Sequence, residues 1–99
     1  MPSGKQAPSP EKAFAAVLRE ARNSCGLSQE QLGFESGYHR TYIGMLERGL
    51  MNPTLRTILS LSAALKVPAG ELVQSVEDSV GSNWRKAEKA ETPGRSRKH

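Results

Sequence analysis

The chain has a single cysteine, Cys25, among its 99 residues, so no internal disulfide can form; this fits a reducing, cytoplasmic setting. One cysteine and two histidines are too few for a zinc-ligand set. Aromatic residues are also scarce, with two Phe, two Tyr and one Trp. A core must therefore come from Leu, Ile, Val and Ala on packed helices. No uninterrupted apolar run approaches the ~20 residues that a membrane helix requires, so no membrane association is expected. The opening stretch MPSGKQAPSP has no apolar segment of the kind a secretory signal carries. Neither a glycine-rich phosphate loop nor a nucleophile–base pair is visible, so no catalytic residues, metal or cofactor are expected.

The charge is less telling than its total of +4 suggests. Residues 11–79 carry seven basic side chains (Lys12, Arg19, Arg22, Arg40, Arg48, Arg56 and Lys66) and eight acidic ones, a net charge of −1. The excess of positive charge lies in Lys5 and in a tail rich in Lys and Arg. An argument for an anionic partner has to come from where individual arginines sit.

What is present is helical periodicity. Residues 1–10 hold three prolines, two serines and a glycine, and read as a disordered lead. Phe14, Val17, Leu18, Ala21 and Cys25 then recur at the spacing of one helical face, with Ser9 as cap, Pro10 in the first turn and Gly26 as stop. Cys25 is expected to be a small core residue on this stripe. Ser28 and Gln31 form a capping box that opens a second helix running to Ser36, with Leu27 set to staple onto Leu32. Gly37 suits a left-handed exit from that helix. A third helix is expected from about His39 to Arg48, and Gly49 ends it. Thr54 caps a fourth, whose Leu55, Ile58, Leu61, Ser62 and Leu65 form a broad buried face. Val67-Pro68 breaks it before a short fifth helix over about 69–77. Residues 80–99 read as a basic, mostly disordered tail. The expected architecture is an all-α, compact five-helix domain over residues 11–79, with no strand and no internal repeat.

The second and third helices carry the functional signal. Two helices crossing steeply over a tight turn admit only small residues at the crossing. Gly33 stands there, Gly37 makes the turn, and Leu32, Ile43 and Leu46 anchor both helices to the core. This is the pattern of a helix-turn-helix, which places its second helix, here from Tyr38 to Arg48, in the major groove of DNA.

The segments LSQEQL, RTYI, LERG and NPT closely resemble the lambda-repressor-like, Cro/CI-type (XRE) helix-turn-helix regulators, over roughly residues 14–76. The resemblance implies a transcriptional regulator, commonly a repressor or autoregulator, that binds a palindromic operator on double-stranded DNA as a homodimer. It implies a phosphate contact at Gln29, where the free N–H groups and positive dipole end of a helix favour an anion. Arg40 is the prime candidate for base readout, because a guanidinium can hold O6 and N7 of guanine. Thr41 is expected to meet a thymine methyl or a phosphate, and Tyr38 and His39 a backbone or base edge. Gly44 and Met45 face the groove one turn on, and Arg48, Asn52 and Arg56 grip phosphates beyond it. His39 also reads as a cap more readily than as a titrating switch. The resemblance makes Arg22 and Glu47 a partly buried ion pair. Gly33 departs from the family's usual Ala, at a cost of roughly 1 kcal/mol in helix propensity, and Gly44 leaves the groove face with few hydrogen-bonding groups. Leu72, Val73 and Val76 on the last helix are the expected dimer surface. Two alternatives stay open: an antitoxin with a small toxin as partner, and a controller of a restriction–modification system.

Overall fold

A computed structural model of the chain describes residues 8–91, with side chains described for residues 8–81. Five helices follow one another: α1 (Pro10–Ser24), α2 (Gln29–Ser36), α3 (Arg40–Glu47), α4 (Leu55–Leu65) and α5 (Ala69–Glu91). No strand occurs among the described residues, and no helix there is long and apolar enough to cross a membrane.

The helix starts are local chemistry. Ser9 accepts from the Lys12 amide (3.1 Å), and Thr54 accepts from the Thr57 amide (3.0 Å). At α2 the capping box closes in both directions. The Gln31 amide donates to the Ser28 hydroxyl (3.0 Å), and the Ser28 amide donates to the Gln31 side-chain oxygen (2.8 Å). At the other end of α2, Gly37 has φ = 86°, a conformation in which a Cβ is strained. Lys66 closes α4 in the same left-handed region, with φ = 59° and no glycine to relieve it.

Packing then orders the helices. α1 lies against α3 and α5, and α2 against α3 and α4. Phe14, Leu18, Leu32, Ile43, Leu46, Leu61, Leu65 and Leu72 form one buried cluster that touches every helix. Leu27 packs onto its edge beside α2, where the staple was expected. The steep meeting of α2 and α3 depends on Gly33: a Cβ there would lie 2.5 Å from the Tyr38 carbonyl oxygen.

Four sequence expectations need correction. Leu72 is 3% exposed and belongs to the chain's own core, so it is not free to meet a second copy; Val76 packs partly against the same core, and Val73 alone of the three is exposed. Leu55 is 71% exposed: with Leu59, one turn on and 52% exposed, it lies on the side of α4 turned away from the buried Leu61 and Leu65. Cys25 is exposed because α1 ends at Ser24 and the chain leaves the helical stripe, its thiol reaching the Leu65 carbonyl (3.2 Å). The last helix does not stop near Glu77. It buries Val80, breaks at Gly81 (φ = 74°, ψ = 176°), and resumes to Glu91. The segment after the break is rich in Ala, Glu, Lys and Arg, all strong helix formers, although the Gly, Ser, Pro and charge content of residues 81–99 as a whole reads as unstructured. The lead over residues 1–7 and the final stretch over residues 92–99 lie outside the described residues.

Candidate nucleic-acid interface

Helix α3 has two distinct sides. Ile43, Leu46 and Glu47 are buried, while Arg40, Thr41 and Arg48 are exposed and Gly44 and Met45 are half-exposed between them. The spacing of three and four residues follows directly from the helical repeat. One face is thus held by the protein, and the other is turned to solvent.

The C-terminal end of α3 is held by charge. Glu47 is only 2% exposed, yet its carboxylate is fully engaged. Arg22 of α1 reaches it with Nε at 2.6 Å and Nη2 at 2.9 Å, the bidentate fork that suits a carboxylate. Gln29 of α2 donates through Nε2 at 3.0 Å. Arg22 also donates to the Leu27 carbonyl (2.8 Å), and Arg19 to the Glu47 backbone carbonyl (2.7 Å). Burial alone would push the Glu47 carboxyl up; the hydrogen bonds from Arg22 and Gln29 outweigh it and hold the group below its ordinary value. The same partner raises Arg22. The ion pair implied by the sequence resemblance is therefore present, with Gln29 as a third member.

This arrangement changes the reading of Gln29. One of the two donors on its amide nitrogen is taken by Glu47, which leaves the second N–H, and its side-chain oxygen lies beside Gly44. A Cβ at Gly44 would stand 3.5 Å from that oxygen, an ordinary van der Waals contact, so Gly44 and Gln29 are neighbours across the two helices.

At the N-terminal end, His39 is the cap of α3: its Nδ1 accepts from the Thr41 amide at 3.0 Å. Arg40 extends into solvent with its side chain 64% exposed, and lies 3.7 Å from Glu30 of α2. Tyr38 is expected at a backbone or base edge of DNA, and the structure turns its hydroxyl inward instead. It is half-buried, its hydroxyl donates inward to Thr57 (3.2 Å), and no donor remains for a phosphate. Arg48 caps α3 at its far end, and Asn52 and Arg56 are exposed in and after the next loop. The residues that the sequence reading passed over are Tyr42, Glu30 and Thr57. Tyr42 packs against Tyr38, four residues away, with ring centroids 5.1 Å apart and planes tilted by 41°, and its hydroxyl also reaches Thr57 (3.3 Å). The i, i+4 spacing of the two tyrosines was the available signal.

These features define a class. The family model for helix-turn-helix proteins (HTH_3) matches residues 18–72, and the chain belongs to that family. The fold is the all-α, lambda-repressor-like one. Among its relatives is the control protein C.SmaI of Serratia marcescens, 44% identical over 63 residues, which span 64% of this chain and 75% of that protein. The crystal structure of the restriction–modification controller protein C.AhdI from Aeromonas hydrophila is 47% identical, with a TM-score of 0.61 over 63% of this chain and 94% of its own. The DNA-binding domain of the P22 c2 repressor is similar at 27% identity and a TM-score of 0.59, over 61% of this chain and 79% of that one.

Proposed function

We propose that the protein is a sequence-specific transcriptional regulator that binds double-stranded DNA through the outer face of α3. The observation that carries this is the division of α3 itself. Arg40 and Thr41 stand outward near its start, while Ile43, Leu46 and Glu47 fix its opposite side. A rigid helix with an exposed guanidinium near its N-terminus, in a surface pair with Glu30 at 3.7 Å, is suited to reading guanine in the major groove. Gln29, Arg48, Asn52 and Arg56 are the phosphate-contacting set around it. Thr41, Gly44 and Met45 line the groove, and His39 sits at its edge.

The regulator acts as a homodimer on a palindromic operator. Leu55 and Leu59, one turn apart on α4, are 71% and 52% exposed, and Val73 is exposed on α5. Leu55 and Leu59 replace Leu72 and Val76 in the surface offered to a second copy. Two α3 helices related by a two-fold axis would meet successive major grooves about 34 Å apart, so half-sites are centred roughly 10 base pairs apart. The relatives named as control and controller proteins favour restriction–modification control over the antitoxin alternative.

Selection of bound fragments from a random DNA pool tests the reading. A palindrome with that half-site spacing is the expected outcome. Binding that is salt-sensitive but blind to sequence would overturn it.

A further inference from the structure

We propose that Thr57 is a positioning residue for DNA recognition: its buried hydroxyl sets the rotation of α3 and thereby the aim of Arg40. The inference rests on the DNA-reading role of α3 proposed above.

Thr57 belongs to α4, not to the face that would meet DNA, and is 3% exposed. Its hydroxyl oxygen is the meeting point of three others. Tyr38 Oη lies at 3.2 Å, Tyr42 Oη at 3.3 Å and Thr54 Oγ1 at 3.0 Å. A hydroxyl has one proton to donate and two lone pairs to accept with. Tyr38 donates to it. If Tyr42 donates as well, Thr57 donates to Thr54; if Thr57 donates to Tyr42, Thr54 donates to Thr57. The oxygen is saturated in both arrangements. The Thr57 amide meanwhile donates to Thr54 Oγ1 (3.0 Å), which ties the cluster to the capped start of α4.

The consequence concerns what fixes a helix. Ile43 and Leu46 hold α3 onto the core, but apolar contact is non-directional and tolerates small rotations about the helix axis. Hydrogen bonds do not tolerate them. α3 has two polar anchorages, one at each end. Glu47 is held by Arg22 and Gln29 at the C-terminal end, and Tyr38 and Tyr42 are held by Thr57 at the N-terminal end. Arg40 lies between the two tyrosines in sequence. Recognition geometry tolerates only about 0.5 Å and 10–20° of error. Releasing the N-terminal anchorage lets α3 exceed that at Arg40 while Glu47 still holds the far end. No residue is lost from the DNA-facing surface, yet discrimination falls.

The test compares wild type, Thr57→Val, Thr57→Ser and Arg40→Ala in full-length protein. The measured quantity is the ratio of affinity for the selected operator to affinity for a scrambled duplex of equal length. Circular dichroism reports folding alongside. Thr57→Val keeps the shape but removes the hydroxyl, and should lower the ratio on the order of 3- to 10-fold. Binding to the scrambled duplex should change little, because phosphate contacts are kept. Thr57→Ser, which restores the hydroxyl, should recover most of the loss. A Thr57→Val protein that is folded and discriminates like wild type overturns the proposal. So does a Thr57→Ser protein as impaired as Thr57→Val, or a loss equal on both duplexes. Should Thr57→Val fail to fold, Tyr38→Phe and Tyr42→Phe decide, and a ratio unchanged in both single variants and in the double overturns it. If wild type itself shows no preference for any sequence, the DNA-reading role has failed instead, and Arg40→Ala will then be indistinguishable from it.

Discussion

Arg40 and Glu47 lie on the same short helix, and the surroundings of each assign it a different task. Arg40 is solvated and pairs with the exposed Glu30, a pair of little energetic weight in water. Its guanidinium is therefore available to DNA. Arg40→Ala should cost about 1–3 kcal/mol in operator binding and relax preference at one base position, measurable by repeating the selection with the variant. Glu47 is buried and fully bonded, and its worth depends on ionisation. Because its folded-state pKa lies below the ordinary carboxylate value, its contribution is fully present above the unfolded pKa, near 4.3. That contribution is lost as pH falls through the lower, folded value. Thermal melts from pH 7 to pH 3 should show a loss in this acid window that is smaller in Glu47→Gln. The identities of Arg22 and Glu47 were readable in the chain as a resemblance. Gln29 as their third partner was not, since an amide at a helix start carries no mark of which acceptor it will meet.

Among the elements, α2 and α4 show how far local sequence decides structure. The capping box of Ser28 and Gln31 and the cap at Thr54 are contacts across three residues, so they form as the chain predicts. Gly37 turns left-handed, as a glycine at that place should. Lys66 does so too, against its preference, because the chain must turn there before Pro68. A non-glycine residue in this region bears roughly 1–2 kcal/mol of strain. Lys66→Gly should therefore raise stability by about 0.5–1 kcal/mol, part of the relief being offset by the freer unfolded chain; chemical denaturation would measure it. The run of α5 beyond Glu77 is not legible from composition, because the Gly, Ser, Pro and charged residues that suggest disorder there are mixed with Ala, Glu and Lys that favour helix.

At the scale of the whole molecule the question is what the exposed apolar residues are for. α4 turns Leu61 and Leu65 inward and leaves Leu55 and Leu59 in solvent. One buried cluster already satisfies the fold, and these two side chains lie outside it. Leu55→Ser with Leu59→Ser should leave the melting of the single chain nearly unchanged while shifting the protein toward monomer in sedimentation velocity. Operator affinity should fall with it, because each monomer then holds one half-site alone.

The chain by itself determined the five helices (though not the length of the last), the caps at Ser9, Ser28 and Thr54, the tight turn at Gly37 and the close approach at Gly33. It also marked Arg40 and Thr41 as outward. All of these depend on residues within a few positions of one another, or on a face defined by the helical repeat. Only the tertiary structure decided that Leu72 belongs to the core, that Gln29 is bound to Glu47, and that Tyr38 and Tyr42 turn their hydroxyls to Thr57. Each of these joins helices separated in sequence by a turn or more of loop. A periodic pattern shows that a side chain has an inner or an outer place, but the partner it finds there is set by how the helices cross.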